Sequence, residues 1–157
     1  MTNTNIAARL QTLGIELPPA AAPAAAYVMA ASLGSTVFLS GHIAKRDGKP
    51  WVGKLGLDMN TADGKLAARG IAIDLLATLQ AHLGSLDQVK RIVKVMGLVN
   101  SSSEYTEQHL VINGCSELLV EVFGDAGKHA RSAFGVAQMQ KKDFRVLLSK
   151  LASVGLP

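Results

Sequence analysis

Apolar positions recur at two spacings along this chain, and the switch between them orders its elements. Ile6, Leu10 and Leu13 lie three and four residues apart, between a Thr4 or Asn5 cap and Gly14, which predicts a short peripheral helix. Residues 18–26, PPAAAPAAA, break that pattern and read as an extended, Pro/Ala-rich lead-in of a few residues. From Tyr27 the runs YVMAASLG and STVFLSGHI are strand-like and meet at Leu33-Gly34-Ser35 as a hairpin. The charged stretch KRDGKPWVGKLG that follows is a loop or a ragged sheet edge.

Thr61 or Asp63 opens a long helix to about Leu83. Ala68, Ala72, Leu75, Leu76, Leu79 and Leu83 form one apolar stripe on it, and Gly84 ends it. Val89 to Val99 is β-branched and partly alternating, so it is the best candidate for a central strand. A second helix, from about Glu104 to Phe123, carries Val111, Cys115, Leu118, Leu119 and Val122 on one face and stops at GDAG. HARSAFGVA reads as another strand.

DFRVLLSKLASVG fits two patterns: a strand with Phe144, Val146 and Leu148 inward, or a helix capped by Asp143 with Phe144, Leu147, Leu148, Leu151 and Val154 as its stripe. The resulting order predicts an α+β fold in which two helices cover one face of a mixed, mainly antiparallel sheet.

A chain of 157 residues suits a single domain, here 1–157 with residues 1–26 as the helix and lead-in. Hydrophobic residues make up 48% and charged residues 18%, enough to build a core. The core must rest on Ala, Val, Leu and Ile, because only seven residues are aromatic. Scarce stacking platforms and a net charge of +4 without a basic run argue against a nucleic-acid partner. Cys115 is the single cysteine, so no intramolecular disulfide can form, and no segment reaches the roughly 20 apolar residues of a membrane span. The expected location is cytoplasmic.

The four histidines show no metal-ligand spacing, and Walker, GxGxxG and GxSxG patterns are absent. No metal and no organic cofactor are expected. Arg131 is different, because a guanidinium opening an otherwise apolar strand needs a partner, either an Asp or Glu in a structural bridge or the carboxylate or phosphate of a ligand.

TVFLSGHI, VKRIVKV to LVN, and above all VINGCSELLVEVFGDAGKHARSAFGVA resemble the RidA/YjgF family, and in particular its longer branch labelled endoribonuclease L-PSP-like. The resemblance implies a chorismate-mutase-like fold, a homotrimer, and sites in clefts between subunits. There, enamines or imines such as 2-aminoacrylate are hydrolysed to a 2-keto acid and ammonia. It carries the carboxylate-binding arginine onto Arg131, the tyrosine of the first strand onto Tyr27, the serine-glycine pair onto Ser40 and Gly41, and the helix asparagine onto Asn113.

Three departures bear on catalysis. The family proline after the arginine strand is Gln140, the cysteine beside the arginine is Ala133, and the glutamate thought to activate water falls on Leu148. Without that carboxylate a general-base contribution of roughly 10²–10⁴-fold is missing, unless His42 or His129 supplies the base. The alternatives are a non-catalytic, metabolite-binding or regulatory trimer and, less well supported, an endoribonuclease. Chorismate mutase activity is suggested only by the shared fold.

Overall fold

A computed structural model describes residues 5–137, residue 139 and the backbone of residues 146–155. Helix α1, Ile6–Thr12, starts at Asn5, whose side chain accepts a hydrogen bond from the Ala8 N–H, as an N-cap should. The expectation of a peripheral helix is corrected here, because Ile6 and Leu10 are buried in the core. Two long-range contacts fasten α1: the Ile6 N–H donates to Asp87 Oδ1 at 2.8 Å, and Arg9 Nε donates to the Glu121 carbonyl at 2.8 Å.

Strands β1, Ala30–Leu33, and β2, Thr36–Leu39, form the predicted hairpin about a two-residue turn at Gly34, whose φ of 57° suits glycine. Strand β1 begins three residues later than expected, leaving Tyr27 outside it. The hairpin register continues one residue beyond β2, to Ser40. The Ser40 N–H donates to the Met29 carbonyl, and its hydroxyl donates to the Val28 carbonyl. Strand β3, His42–Ile43, follows, and the charged stretch contains a small hairpin of β4, Lys45–Arg46, and β5, Lys49–Pro50.

Helix α2 opens at Thr61 and runs to Leu83 as expected, capped by Asn60 and closed on Gly84. Strand β6 is Arg91–Asn100. Helix α3, Gln108–Phe123, starts one turn later than the sequence suggests; no side chain caps its N-terminus. A 3₁₀ turn over Gly124–Gly127 leads into β7, Ala130–Val136.

The ambiguous segment is a strand: β8 spans Val146–Gly155 and pairs antiparallel with both β6 and β2, so ladder bonds on each side override its local helical periodicity. Residues 143–145, and Gln140, lie outside the described residues.

The sheet order is β1-β2-β8-β6-β7, with β3 also on β8, and only the β6–β7 pair is parallel. Val37, Leu39, Ile92, Val95 and Val99 are buried in one core cluster with residues of α2 and α3, while Phe38, Val93 and Phe134 stand exposed. The helices approach so closely that a Cβ on Gly114 would lie 1.9 Å from the Lys65 carbonyl oxygen. Ion pairs Lys65–Glu117 (2.8 Å) and Arg69–Glu121 (2.7 Å) cross the same seam. That seam fixes the flank of α3 beside the edge strand β7.

Candidate functional site

Arg131 is the second residue of β7, and alternation along the strand points its side chain at α3. Its Nη1 donates to Asn113 Oδ1 at 2.7 Å and to Ser116 Oγ at 3.2 Å. Asn113 and Ser116 are three residues apart on one helix, hence on the same flank. Both partners are neutral. No ion pair to Arg131 occurs among the described residues, although the side chain is half-buried. The guanidinium is therefore oriented by one of its nitrogens, and its charge is uncompensated by these contacts.

The network continues to His129, whose Nε2 lies 3.0 Å from Ser116 Oγ and whose Nδ1 lies 2.6 Å from the Gly127 carbonyl. A carbonyl only accepts, so Nδ1 carries the proton and Nε2 accepts from the Ser116 hydroxyl. Burial, and to a smaller degree the Arg131 charge, hold the His129 imidazole below its ordinary range, against the opposing Gly127 hydrogen bond. The ring is accordingly neutral near pH 7. A surface concavity of about 470 Å³, lined by Ser116, Glu117, Val120 and Glu121, adjoins the serine. Glu117 and Glu121 are both ion-paired to α2.

The remaining candidates gather elsewhere in the fold. His42 is buried, with Nδ1 2.9 Å from the Ser40 carbonyl and Nε2 2.7 Å from Thr78 Oγ1 on α2. Desolvation is the main cause of its lowered pKa. Both ring nitrogens serve the fold, so within this chain His42 pins the Ser40-Gly41 segment to α2. Ladder partners His42↔Leu148, Leu148↔Gly97 and Gly97↔Ala133 put His42 three strand spacings from Ala133 on β7. That is roughly 14 Å.

Tyr27 is exposed, and its hydroxyl accepts from the Ala24 N–H at 3.2 Å. Tyr27, Ser40 and Gly41 thus form one cluster near the β2 end, while Asn113, Ser116, His129 and Arg131 form another at the β7 edge. The Leu148 side chain lies outside the described residues.

Ser116 was not among the residues singled out by the sequence; its i+3 spacing from Asn113 places the two on one flank but does not by itself mark a site. Cys115, beside it, is fully buried, and burial pushes its thiol up to about 12. It is a packing residue of the α2–α3 core rather than a nucleophile. Among the described residues no group of three potential metal ligands occurs, and no helix is long and apolar enough to cross a membrane.

The model of the family "YjgF/chorismate mutase-like, putative endoribonuclease" matches residues 7–150. Protein TCP17 of Trypanosoma cruzi is 48% identical over 136 residues, covering 85% of each chain. Among solved structures, Atu1372 of Agrobacterium tumefaciens, a protein of unknown function, superposes with a TM-score of 0.87 at 36% identity. The match covers 99% of this chain and 94% of the other. A protein of Shewanella oneidensis described as a putative endoribonuclease gives the same TM-score at 29% identity, over 96% of this chain and 99% of its own.

Proposed function

Because this chain belongs to the YjgF/chorismate mutase-like family, we propose that Arg131 binds the carboxylate of a small 2-keto or 2-imino acid and that the bound imine is hydrolysed to the keto acid and ammonia. The observation that carries this reading is the half-buried guanidinium held by two neutral groups and making no ion pair among the described residues. Its Nε–H and Nη2–H donors suit the two oxygens of a carboxylate, a bidentate arrangement that neither Asn113 nor Ser116 uses up.

The same reading includes a homotrimer in the cytoplasm. Phe38, Val93 and Phe134 leave an apolar sheet face that a neighbouring subunit would cover. A neighbour could also bring its Tyr27, Ser40 and Gly41 to the β7 edge, joining two clusters that one chain keeps apart.

The test is ammonia or keto-acid release from imines generated in situ from several amino acids, comparing the protein with Arg131→Ala. Losing a charge-assisted contact of about 1.5–3 kcal/mol predicts a roughly 10- to 150-fold drop in kcat/KM. Equal rates for both proteins would overturn the proposal.

A second reading starts from the resemblance, which carries the family's water-activating glutamate onto Leu148, a side chain with no base to offer. On that reading the protein binds the carboxylate without turnover, and titration with 2-oxobutanoate saturates while no imine is consumed. RNA cleavage is the weaker alternative, since among the described residues neither His42 nor His129 is hydrogen-bonded to a carboxylate.

A further inference from the structure

His129 offers solvent no free ring nitrogen, since Nδ1–H is spent on the Gly127 carbonyl and the Nε2 lone pair faces Ser116. Any proton reaching His129 must therefore pass through the Ser116 hydroxyl. That hydroxyl donates to Nε2, and one of its two lone pairs accepts from Arg131 Nη1. The other remains for a molecule in the adjoining concavity. A hydroxyl, an imidazole behind it and a third group fixing the imidazole tautomer make up the hydroxyl–base–orienter arrangement that general-base chemistry requires.

We propose that Ser116 and His129 are the proton relay of the Arg131 site, in which Ser116 meets the attacking water and His129 accepts the proton behind it. The relay rests on the reading of Arg131 as a carboxylate clamp and supplies the base that Leu148 cannot. In the first step water adds to the carbon of a protonated imine, a C–O bond forms, and the C=N π pair moves to nitrogen. One water proton goes to Ser116 Oγ as the Ser116 proton goes to His129 Nε2, leaving a neutral carbinolamine and an imidazolium.

The imidazolium then returns its proton through Ser116 to the amine nitrogen. The C–N bond breaks, ammonia leaves with its electron pair, and the hydroxyl oxygen closes to C=O as its proton is taken up by ammonia. Iminium and water have become keto acid and ammonium, and the relay is restored.

The elements around His129 bear Asp125 on the 3₁₀ turn and Lys128 just after it, Cys115 and Glu117 on α3, and Arg131 on β7. Asp125 and Lys128 pair with each other at 2.7 Å, Glu117 pairs with Lys65, and Cys115 stays protonated. Arg131 is the charge that disfavours imidazolium, together with burial. The relay thus predicts a kcat that falls on the acid side through a pKa below the usual imidazole range.

The experiment measures kcat against pH for the wild type, Ser116→Ala, Ser116→Thr, His129→Gln and Arg131→Ala, alongside 2-oxobutanoate titration of each. Ser116→Ala and His129→Gln are expected to lower kcat about 10²–10⁴-fold while still binding 2-oxobutanoate, Ser116→Thr to recover most of it, and the acid limb to vanish in His129→Gln. If Ser116→Ala does not fold, His129→Gln carries the same comparison. Wild-type turnover that Arg131→Ala abolishes but the Ser116 and His129 variants keep, with the acid limb intact, overturns the relay and leaves the clamp standing. An inactive wild type overturns the relay and the imine hydrolysis with it, and the clamp then falls only if 2-oxobutanoate binds wild type and Arg131→Ala alike.

Discussion

Substituting Gly114 by alanine tests whether the α2–α3 seam is as tight as described, and whether that seam positions the site. The new Cβ would sit 1.9 Å from the Lys65 carbonyl oxygen, and real Cβ atoms essentially never come closer than 3.0 Å to a neighbour. The obstacle is backbone, so no rotamer change relieves it, and the helices must separate by about 1 Å. Overpacking costs about 1–3 kcal/mol, and a rigid obstacle puts this case near 3 kcal/mol. For a chain of this size that lowers Tm by about 6–12 °C.

Gly70→Ala is the paired control, because it lies in the same helix as Lys65 and its added Cβ meets nothing within 4 Å. There the helix propensity gain of about 0.5–1 kcal/mol should raise Tm by about 1–4 °C. Thermal melts by circular dichroism at one protein concentration read both. A Gly114→Ala melt within 2 °C of wild type, by the same scale about 1 kcal/mol or less, would refute the close approach. Because Asn113 and Ser116 flank Gly114 on α3, its alanine variant should also weaken 2-oxobutanoate binding, which Gly70→Ala should leave alone.

Two further predictions follow from the titratable groups. His42 and His129 have folded-state pKa values lowered mainly by burial, so their contribution to stability is complete above the ordinary imidazole range and is lost as pH falls through the folded values. Urea midpoints should therefore drop between pH 7 and pH 5, and less steeply in a His42→Gln variant; a midpoint independent of pH would contradict the burial of both rings. The Cys115 thiol, buried and raised to about 12, should resist a thiol reagent at pH 8 in the folded protein and react with one equivalent in guanidinium.

The helices were legible because their burial follows a local period. Ala68, Ala72, Leu75, Leu76 and Leu79 on α2, and Val111, Cys115, Leu118, Leu119 and Val122 on α3, are buried as their spacing requires, while Leu83, the end of the expected α2 stripe, is only partly buried. Residues 146–155 were not decidable alone, since their apolar positions satisfy both periods and only the flanking β2 and β6 ladders select the strand.

Tyr27 was placed within a strand by its β propensity, yet the strand starts at Ala30, and the Val28 and Met29 carbonyls before it accept from Ser40. Of the candidate residues, Asn113 and Arg131 meet directly. Ser116 escaped notice because a serine inside a helix carries no signal until β7 brings an arginine and a histidine against that flank. The steric demand on Gly114 is likewise set by a carbonyl 49 positions away in the chain, which no local pattern encodes.

The position of β8 has a consequence for how the protein is made. This strand follows every other element in sequence but lies between the β1–β2 hairpin and the β6–β7 pair, which share no ladder of their own. While a ribosome is still delivering residues 146–155, the strand that joins β2 to β6 is missing, and α2 and α3 have no complete sheet to cover. The sheet can close only after β8 has cleared the exit tunnel, so a chaperone that shields apolar ribbons would act in that interval.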